Sequence, residues 1–426
     1  MRRHKAWQGA VSAVALTGVL AGCAGGGASG DSGGTTKLTV STFGSFGYGP
    51  LIKKYEKEHP NINVVLRKQE MAAHHEQLAK HLAAGGGTAD IEAIEVAYMT
   101  QFKAQPQNFY NLLEFRAGEL EDREMAWNWQ RGMAPQGNYL VGLGTDVGGL
   151  AMCYRRDLFK KAGLPTDRDK VSKLWPTWEG YIKAGKTFKA AGTEAKWVDA
   201  GTNIFNPVLR QQEHNFFNRQ GELLMGPSSG VKKAWDITMK IVKNDLSADL
   251  TTFQTEWATG FKKDAFATVV CPAWMMANIK QNAPKAKGKW DIAEMPGPGG
   301  NWGGSYLTIP KQTPEDEAKK AYELIKWLTQ PEQELAIFKN IGNLPSTPEL
   351  YDDPALTSYR DPYFNNAPVG KIFTSSAQEF KPQYLAPGTG DVQTAVENVI
   401  RQAASGNLDP DKAWEQAVQK AKKEVS

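Results

Sequence analysis

The chain has 426 residues, enough for two or three domains, and its 41% hydrophobic and 23% charged residues are ordinary for a soluble globular protein. The formal charge is +4 at pH 7, and removal of residues 1–22 would lower the basic residues from 50 to 47, against 46 acidic ones. This near-zero balance, together with the lack of a long basic run, argues against a nucleic-acid partner.

Residues 1–22 have the features of an export signal. A basic start is followed by the apolar run Ala10–Leu20, which is too short to span a bilayer as a stable helix. The segment ends in Leu-Ala-Gly-Cys, the pattern of a bacterial lipobox, so we expect lipidation at Cys23. Residues 23–36 then form a Gly/Ser tether. The alternative is an ordinary signal peptide with an incidental cysteine.

Two further cysteines, Cys153 and Cys271, fall in predicted buried strands. An exported protein can form disulfides, so a bond between them is one interpretation. The sequence does not show whether their Cα atoms come within bridging distance. We therefore favour two buried thiols.

The chain after the tether alternates between predicted strands and helices. In chain order these are a strand at Lys37–Thr42, a helix from Pro50 to His59, a strand at Ile62–Leu66, a helix at Met71–Ala84 and a strand at Ile91–Glu95. This order predicts right-handed crossovers and a parallel sheet, in which ligands bind beyond the carboxyl ends of the strands. The residues expected at that edge include Phe46, Tyr48, Glu70 and Glu95.

The segment 138–165 predicts a passage between two bodies. Two short apolar strands, Val141–Leu143 and Leu150–Tyr154, flank a glycine-rich bend that can absorb a hinge rotation. Asp146 lies in the bend, where its oxygens are expected to face a crevice.

The remaining chain is predicted to be rich in helices from Pro176 to about Asn244, with a polar loop at Asp199–Asn206. Further predicted elements are strands at Ala267–Cys271, Trp290–Glu294 and Tyr306–Ile309, a helix that begins at Pro314 with Thr313 as its cap, and C-terminal helices over Asp391–Ser405 and from Asp409 to Glu424.

Several segments resemble, in the same order, the extracellular solute-binding proteins of carbohydrate ABC transporters, the maltose-binding-protein-like group. The matching segments are Leu150–Phe159 with Gly163-Leu164-Pro165, Pro176–Glu179, Phe261–Ala267 with Pro272-Ala273-Trp274, Pro296–Pro298 with Gly303–Leu307, and Lys326-Trp327-Leu328. Arg155 departs from the asparagine that the group has after its tyrosine.

The resemblance implies a periplasmic-binding-protein-like type II α/β fold, with two discontinuous lobes joined by a hinge of about three crossings. Lobe one would comprise residues 37–145 plus 303–344, and lobe two residues 146–302 plus 345–426. The resemblance also implies that membrane permease subunits of an ABC transporter are the partner.

A sugar site combines aromatic rings, which stack on the apolar faces of sugars, with polar groups that bind hydroxyls. The tryptophans nearest predicted crevice loops are Trp257, Trp274 and Trp302, and the polar candidates, besides Asp146, Glu70 and Glu95, are Asn203, Asn206 and Ser305. The alternative is that the tryptophans cover the protein's own core and the polar groups serve turns and caps.

Enzymatic interpretations find little support in the motifs. Gly226–Gly230 fits the G-x-S-x-G pattern, but all six histidines precede Ser228, which is the wrong order for an α/β-hydrolase triad. Gly180–Thr187 has the letters of a phosphate loop but lies in a predicted helix with no strand before it. We interpret His74, His75 and His81 as a solvated helix face, not a metal site, and expect no cofactor.

We therefore predict a monomeric, lipid-anchored substrate-binding protein on the extracellular face of the cytoplasmic membrane of a Gram-positive bacterium. The predicted ligand is a neutral sugar, because the crevice loops are aromatic and nearly free of basic residues. The number of aromatic candidates suits a di- or oligosaccharide, for which β-1,4-linked cello- or xylo-type sugars are the first expectation and α-glucosides the next. The alternatives are an extracellular carbohydrate-active hydrolase and a binding protein for a non-sugar solute.

Overall fold

A computed structural model describes residues 34–425. The predicted signal peptide, Cys23 and most of the tether lie outside these residues. The strands are β1 (Thr36–Phe43), β2 (Ile62–Gln69), β3 (Ile91–Glu95), β4 (Gly142–Arg155), β5 (Lys196–Val198), β6 (Phe266–Pro272), β7 (Trp290–Ala293) and β8 (Asn301–Thr308).

The α-helices of the described chain are α1 (Tyr48–Glu58), α2 (Met71–Ala84), α3 (Val96–Phe102), α4 (Ala126–Gly132), α5 (Arg156–Lys161), α6 (Arg168–Ser172), α7 (Trp178–Ala190), α8 (Thr202–Arg210), α9 (Gly230–Lys243), α10 (Thr255–Lys262), α11 (Met275–Asn282), α12 (Glu315–Leu328), α13 (Pro331–Ile341), α14 (Pro354–Thr357), α15 (Val369–Gln378), α16 (Thr389–Ala404) and α17 (Ala413–Lys423). Short 3₁₀ helices lie at Pro106–Asn108, Leu112–Phe115, Ala117–Arg123, Pro284–Ala286, Pro348–Asp352 and Pro362–Phe364. Within residues 34–425, no helix has the length and apolar character needed to cross a bilayer.

The strands form one sheet in the order β2-β1-β3-β8-β4-β6-β5, and β7 also pairs with β4. β1 pairs in parallel with both β2 and β3, which confirms the predicted parallel arrangement of the first three strands. β8 is antiparallel to both β3 and β4. β5 is parallel to β6, which is antiparallel to β4.

The predicted bend between two strands is wrong, because β4 is one continuous strand of 14 buried residues. Its first part, from Gly142 to Gly149, pairs with β8, and its second part, from Leu150 to Arg155, pairs with β6 and β7. The glycines coincide with two register shifts in the pairing with β8. At Gly148, a Cβ atom would lie 1.8 Å from the backbone oxygen of Trp302, so the close approach of the two strands requires glycine.

Helices cover both faces of the sheet, so that alternate residues of each strand enter different cores. In the second part of β4, Met152 and Tyr154 pack with α7, α8 and α9, whereas Ala151 and Cys153 pack on the opposite face. In the first part of the sheet, Ile91 and Ile94 likewise enter separate cores.

Cys153 and Cys271 form a disulfide bond, with Cα atoms 5.4 Å apart. Our preference for two buried thiols is therefore wrong. The antiparallel pairing of β4 with β6 places the two residues on neighbouring strands, where they face the same core. Their separation of 118 residues hides this proximity in the sequence.

Three local predictions also need correction. The polar segment expected as a loop at Asp199–Asn206 is helical from Thr202 onward, and all nine residues of α8 are buried. α1 begins at Tyr48, two residues before Pro50, after Gly47 in a left-handed conformation. Pro314, not Thr313, holds the cap position of α12, without a capping bond from its side chain.

Candidate functional site

A cleft of about 1400 Å³ opens beyond the carboxyl ends of the parallel strands. The last residues of β1, β2 and β3 are Phe43, Gln69 and Glu95, and all three line it. β8 contributes Ser305, and Trp274 follows directly after β6 and Ala273. Both parts of the sheet thus contribute to one cleft.

Most of the residues expected at a ligand site lie on this cleft. They are Phe46, Glu70, Glu95, Asp146, Asn203, Asn206, Trp274, Trp302 and Ser305. They come from segments more than 200 residues apart in the sequence, and the fold brings them together.

Two of the expected ligand residues, Trp257 and Tyr48, lie in the core and do not line the cleft. Trp257 is 1% exposed, and its indole N–H donates a hydrogen bond to Asp199 Oδ2 at 2.7 Å. Tyr48 is also buried, and its ring packs against Phe46. Burial, and then the nearby carboxylates of Asp146 and Glu334, raise the pKa of Tyr48 well above its usual value.

Three aromatic rings form a wall of the cleft, which we call the aromatic wall: Phe253, Trp274 and Trp302. The two indole rings are 6.1 Å apart and nearly perpendicular, and Trp274 Nε1 donates to the Trp302 carbonyl at 2.9 Å, which fixes its orientation. Phe253 is 5.9 Å from Trp274 and is 44% exposed. Such rings can stack on the apolar faces of sugar rings.

Phe253 is not among the site residues predicted from the sequence, although it lies beside the tryptophans. Its backbone φ is 68°, a left-handed conformation that is rare for an aromatic residue and costs free energy. A phenylalanine between two threonines and a glutamine gives no signal of this conformation or of its position beside Trp274.

Carboxylates supply acceptors for hydroxyl groups. Glu95 caps α3, where its Oε2 accepts from the Ala97 N–H at 2.6 Å, and Glu70 caps α2 in the same way through Ala73. Burial raises the pKa of Glu95 to about 7, and the bond from Ala97 opposes that rise. Burial also raises the pKa of Asp146 to about 6, against a 2.8 Å bond from the Thr145 hydroxyl.

Three polar side chains of helix α8 line the cleft: Asn203, Asn206 and Arg210. Asn203 Nδ2 donates to Asp199 at 2.7 Å, and Asn206 Nδ2 donates to Glu397 of α16 at 2.9 Å. Both amides are therefore held in place by neighbours. Arg210 is not among the site residues predicted from the sequence. The predicted loop ends at Asn206, so the helical spacing that puts Asn203, Asn206 and Arg210 on one face gives no signal there.

The motifs that resemble enzyme sites have structural roles. Ser229 Oγ accepts from the Lys232 N–H at 3.1 Å as the cap of α9. Gly180–Thr187 lies within α7. The predicted solvated face is wrong for His74 and His75, which are both buried: His74 Nε2 lies 2.7 Å from the Ala93 carbonyl oxygen, and His75 Nδ1 lies 2.7 Å from that of Met71. Across residues 34–425, no group of acidic, histidine or cysteine side chains is arranged to hold a metal ion.

Comparisons with known proteins agree with this geometry. The family model of bacterial extracellular solute-binding proteins matches residues 50–364. An arabinooligosaccharide-binding protein of Bacillus subtilis (strain 168) is 27% identical over 394 residues, covering 87% of each chain. The crystal structure of an extracellular solute-binding protein of family 1 is 38% identical, has a TM-score of 0.80, and covers 92% of this chain and 100% of its own.

The maltose-bound structure of T. maritima MalE3, at 17% identity and a TM-score of 0.74, covers 91% of this chain and 99% of its own. This match shows a shared fold, the type II periplasmic-binding-protein fold that the sequence resemblance implies. The proteins of the matched family bind solutes and are not enzymes. Because the family model spans most of the chain, this chain belongs to the bacterial extracellular solute-binding protein family.

Proposed function

We propose that this protein captures a neutral di- or oligosaccharide in the cleft and delivers it to the permease subunits of an ABC importer. The observation that carries this proposal is the aromatic wall of Phe253, Trp274 and Trp302, set among carboxylates and amides on the same cleft. This is the combination that a sugar requires, because its rings have apolar faces and its hydroxyls need hydrogen bonds. Three rings suit more than one sugar unit.

For the sugar itself, we propose two groups of candidates. The first group is the β-1,4-linked cello- and xylo-oligosaccharides expected from the sequence. The similarity to the arabinooligosaccharide-binding protein of Bacillus subtilis supports arabino-oligosaccharides as a second group.

Capture would involve closure of two lobes around the sugar. The lobes are those expected from the sequence, residues 37–145 plus 303–344 and residues 146–302 plus 345–426. Three chain segments run side by side at their boundary: β4 pairs with β8 there, and the Val147 N–H donates to the Leu344 carbonyl at 2.9 Å. A sugar shifts the equilibrium toward closure only through interactions that it makes in the closed state and not in the open one.

We further propose that a lipid on Cys23 anchors the protein to the extracellular face of the cytoplasmic membrane of a Gram-positive bacterium. The lipobox at residues 20–23 and the tether that follows support this location. Expression of the full chain and of a Cys23→Ala variant in a Gram-positive host tests it: the first is expected in the membrane fraction and the second in the medium.

The ligand is tested by titrating residues 36–426 with cello-, xylo- and arabino-oligosaccharides while tryptophan fluorescence is followed. We expect a saturable change with one class of sugar, and the sugar recovered afterwards should be intact. Cleavage of the recovered sugar would contradict a pure binding function. The absence of a response to every sugar would overturn the carbohydrate assignment and redirect the search to polyols, phosphates and peptides.

A further inference from the structure

Arg210 brings a buried positive charge to the cleft without a partner. It lies at the end of α8, is 8% exposed and lines the cleft. Within residues 34–425, its guanidinium makes no hydrogen bond and no ion pair, whereas Asn203 and Asn206 of the same helix are both bonded. Burial, and then repulsion from Arg131, lower its pKa to about 10, so Arg210 remains charged at neutral pH.

The neighbouring carboxylates are engaged elsewhere. Glu95 accepts from the start of α3, and Glu397 accepts from Asn206 at 2.9 Å and from Gln393 at 2.8 Å. Arg401 lies 3.6 Å from Glu397 as well. Both carboxylates attract Arg210 from a distance, but neither comes within 4 Å of it.

A largely buried charge without a protein partner costs free energy, because it loses much of its hydration and no protein group replaces what is lost. Folded proteins retain such groups where function needs them, at the expense of stability. An arginine offers N–H donors in a planar fork that matches two adjacent acceptor oxygens. These can be two neighbouring hydroxyls of a sugar ring or the two oxygens of a carboxylate.

We propose that Arg210 is a specificity-determining residue that binds two adjacent hydroxyl oxygens of a neutral sugar ring, while Glu95 accepts from a hydroxyl of the same sugar. This inference rests on the proposed sugar-binding function and deepens it. A neutral ring is favoured over an acidic one because the carboxylates of Glu70, Glu95, Asp146, Asp249, Asp391 and Glu397 also line the cleft and outnumber the basic residues Lys68, Arg210 and Arg401. A ligand carboxylate would be repelled by them.

The test compares Arg210→Met with Arg168→Met, which should have opposite effects on sugar affinity and on melting temperature. Arg210→Met is expected to weaken binding roughly 100-fold, because charged hydrogen bonds to the ligand are lost. The melting temperature of the sugar-free variant should stay the same or rise, because an unpartnered buried charge has been removed. The control, Arg168→Met, lies outside the cleft and breaks an ion pair with buried Asp291 at 2.9 Å, so its melting temperature should fall while its affinity is retained.

Arg210→Lys separates charge from geometry. Lysine keeps the charge but lacks the planar fork, so we expect it to restore only part of the affinity. If Arg210→Met unfolds the protein, or lowers its sugar-free melting temperature as Arg168→Met does, while Arg210→Lys binds as tightly as the wild type, Arg210 has a structural role and the inference fails.

The probes are cellotriose, xylotriose and arabinotriose, with a glucuronic-acid-substituted xylotriose as the acidic counterpart. The proposal expects a neutral trisaccharide to bind more tightly than the acidic one. Tighter binding of the acidic sugar, with a larger loss in Arg210→Met, would overturn the choice of a neutral ring. Equal affinities of wild type and Arg210→Met for a neutral sugar would overturn the inference but leave the proposed function standing. If the wild type binds none of the four probes, both the role of Arg210 and the proposed sugar-binding function fail.

Discussion

Trp274 and Trp257 show how the surroundings of a residue decide its role. Both lie near predicted crevice loops in the sequence, and both are sugar-stacking candidates on that ground. In the structure, Trp274 is only partly buried and lines the cleft, whereas Trp257 is enclosed in the core and bonds Asp199. The two side chains should therefore respond in opposite ways to substitution.

Trp274→Ala is expected to weaken sugar binding by about 2 kcal/mol, or roughly thirtyfold, because the sugar loses the apolar surface on which it stacks. The perpendicular contact with Trp302 and the hydrogen bond to its carbonyl are lost as well. Isothermal titration calorimetry with the sugar that saturates the wild type measures the change. The free energy of unfolding should change less than the affinity does.

Trp257→Phe provides the matched control. It removes the indole N–H that donates to Asp199 Oδ2, while Asp199 Oδ1 already has no partner within the described residues. We expect a loss of about 1–3 kcal/mol in the free energy of unfolding with little change in affinity. If Trp257→Phe weakened sugar binding as much as Trp274→Ala does, the division between cleft and core residues would be wrong.

At this scale, the sequence predicts residues whose position follows from strand order. Glu95 ends one predicted strand, and Trp274 closely follows another, so both can be placed near the sheet edge where the cleft lies. Arg210 and Phe253 could not be found in this way. Arg210 depends on a helix with an internal proline, Pro207, and Phe253 on a left-handed backbone that no residue type signals.

At the scale of elements, the disulfide between β4 and β6 gives a direct prediction. Cys153 and Cys271 are both fully buried, and the bond closes a long loop of the unfolded chain. The double variant Cys153→Ala/Cys271→Ala should lose about 2–5 kcal/mol of unfolding free energy, measured by denaturant titration.

The bond itself can be checked by mass spectrometry. Residues 36–426 are denatured and alkylated with and without a reductant, and we expect two alkylated cysteines only with the reductant. Alkylation of both residues without a reductant would show the two free thiols that the sequence favours.

A buried carboxylate links α13 to the segment that lies beside β4. Glu334 Oε1 accepts from the Ser346 hydroxyl at 2.5 Å, and its Oε2 accepts from the Thr347 N–H at 3.1 Å. Burial raises the pKa of Glu334 to about 7, and these bonds oppose the rise. The folded protein therefore keeps a proton on Glu334 at pH values where the unfolded chain has already released it.

The contribution of Glu334 to the free energy of unfolding should therefore fall as the pH rises from about 4.5 to 7. In that window Glu334 binds fewer protons in the unfolded state than in the folded one. Glu334→Gln removes this contribution, so the variant should match the wild type near pH 5 and exceed its stability at pH 8 by up to about 3 kcal/mol. Denaturant titrations of both proteins at each pH measure the difference. The buried histidines make the same pH-dependent contribution in both proteins, so it cancels in the difference. A difference that does not depend on pH would show that Glu334 is ionised throughout.

Helices and strands were predictable where hydrophobic periodicity agrees with the residues that end an element. Met71–Ala84 and Ile91–Glu95 have the predicted bounds, because a left-handed glycine ends the first and a short apolar run defines the second. β4 was not predictable as one strand, because its glycines signal a bend in isolation. Only the neighbouring β8 explains them, since its backbone approaches where a side chain would stand.

For the whole molecule, sequence order predicts the parallel strands β1, β2 and β3 but not what lies beside them. β8 inserts between β3 and β4 although more than 140 residues separate it from either. That insertion unites the two parts of the sheet and shapes the cleft. It rests on long-range pairing, which local propensity does not encode. Only the family resemblance implies a chain that crosses repeatedly between the proposed lobes.

The proposed closure predicts a change of shape that one distance can follow. Glu76 on α2 and Glu213 after α8 belong to different proposed lobes, and their side chains are 69% and 88% exposed. Dyes attached to cysteines at these positions should not disturb the fold, because Cys153 and Cys271 are already paired. Saturating sugar should raise the energy transfer between the dyes, since a sugar that binds both lobes at once stabilises the closed state.

The same labels in the Trp274→Ala background should need a higher sugar concentration for the same change, because closure is driven by the interactions that the sugar makes. An inert sugar at equal concentration controls for effects of the solvent on the dyes. If tryptophan fluorescence reports saturation while energy transfer stays constant, the sugar binds without closure. The two sets of residues would then form one rigid body, and β4, β8 and the segment at Leu344 would brace the cleft instead of acting as its hinge.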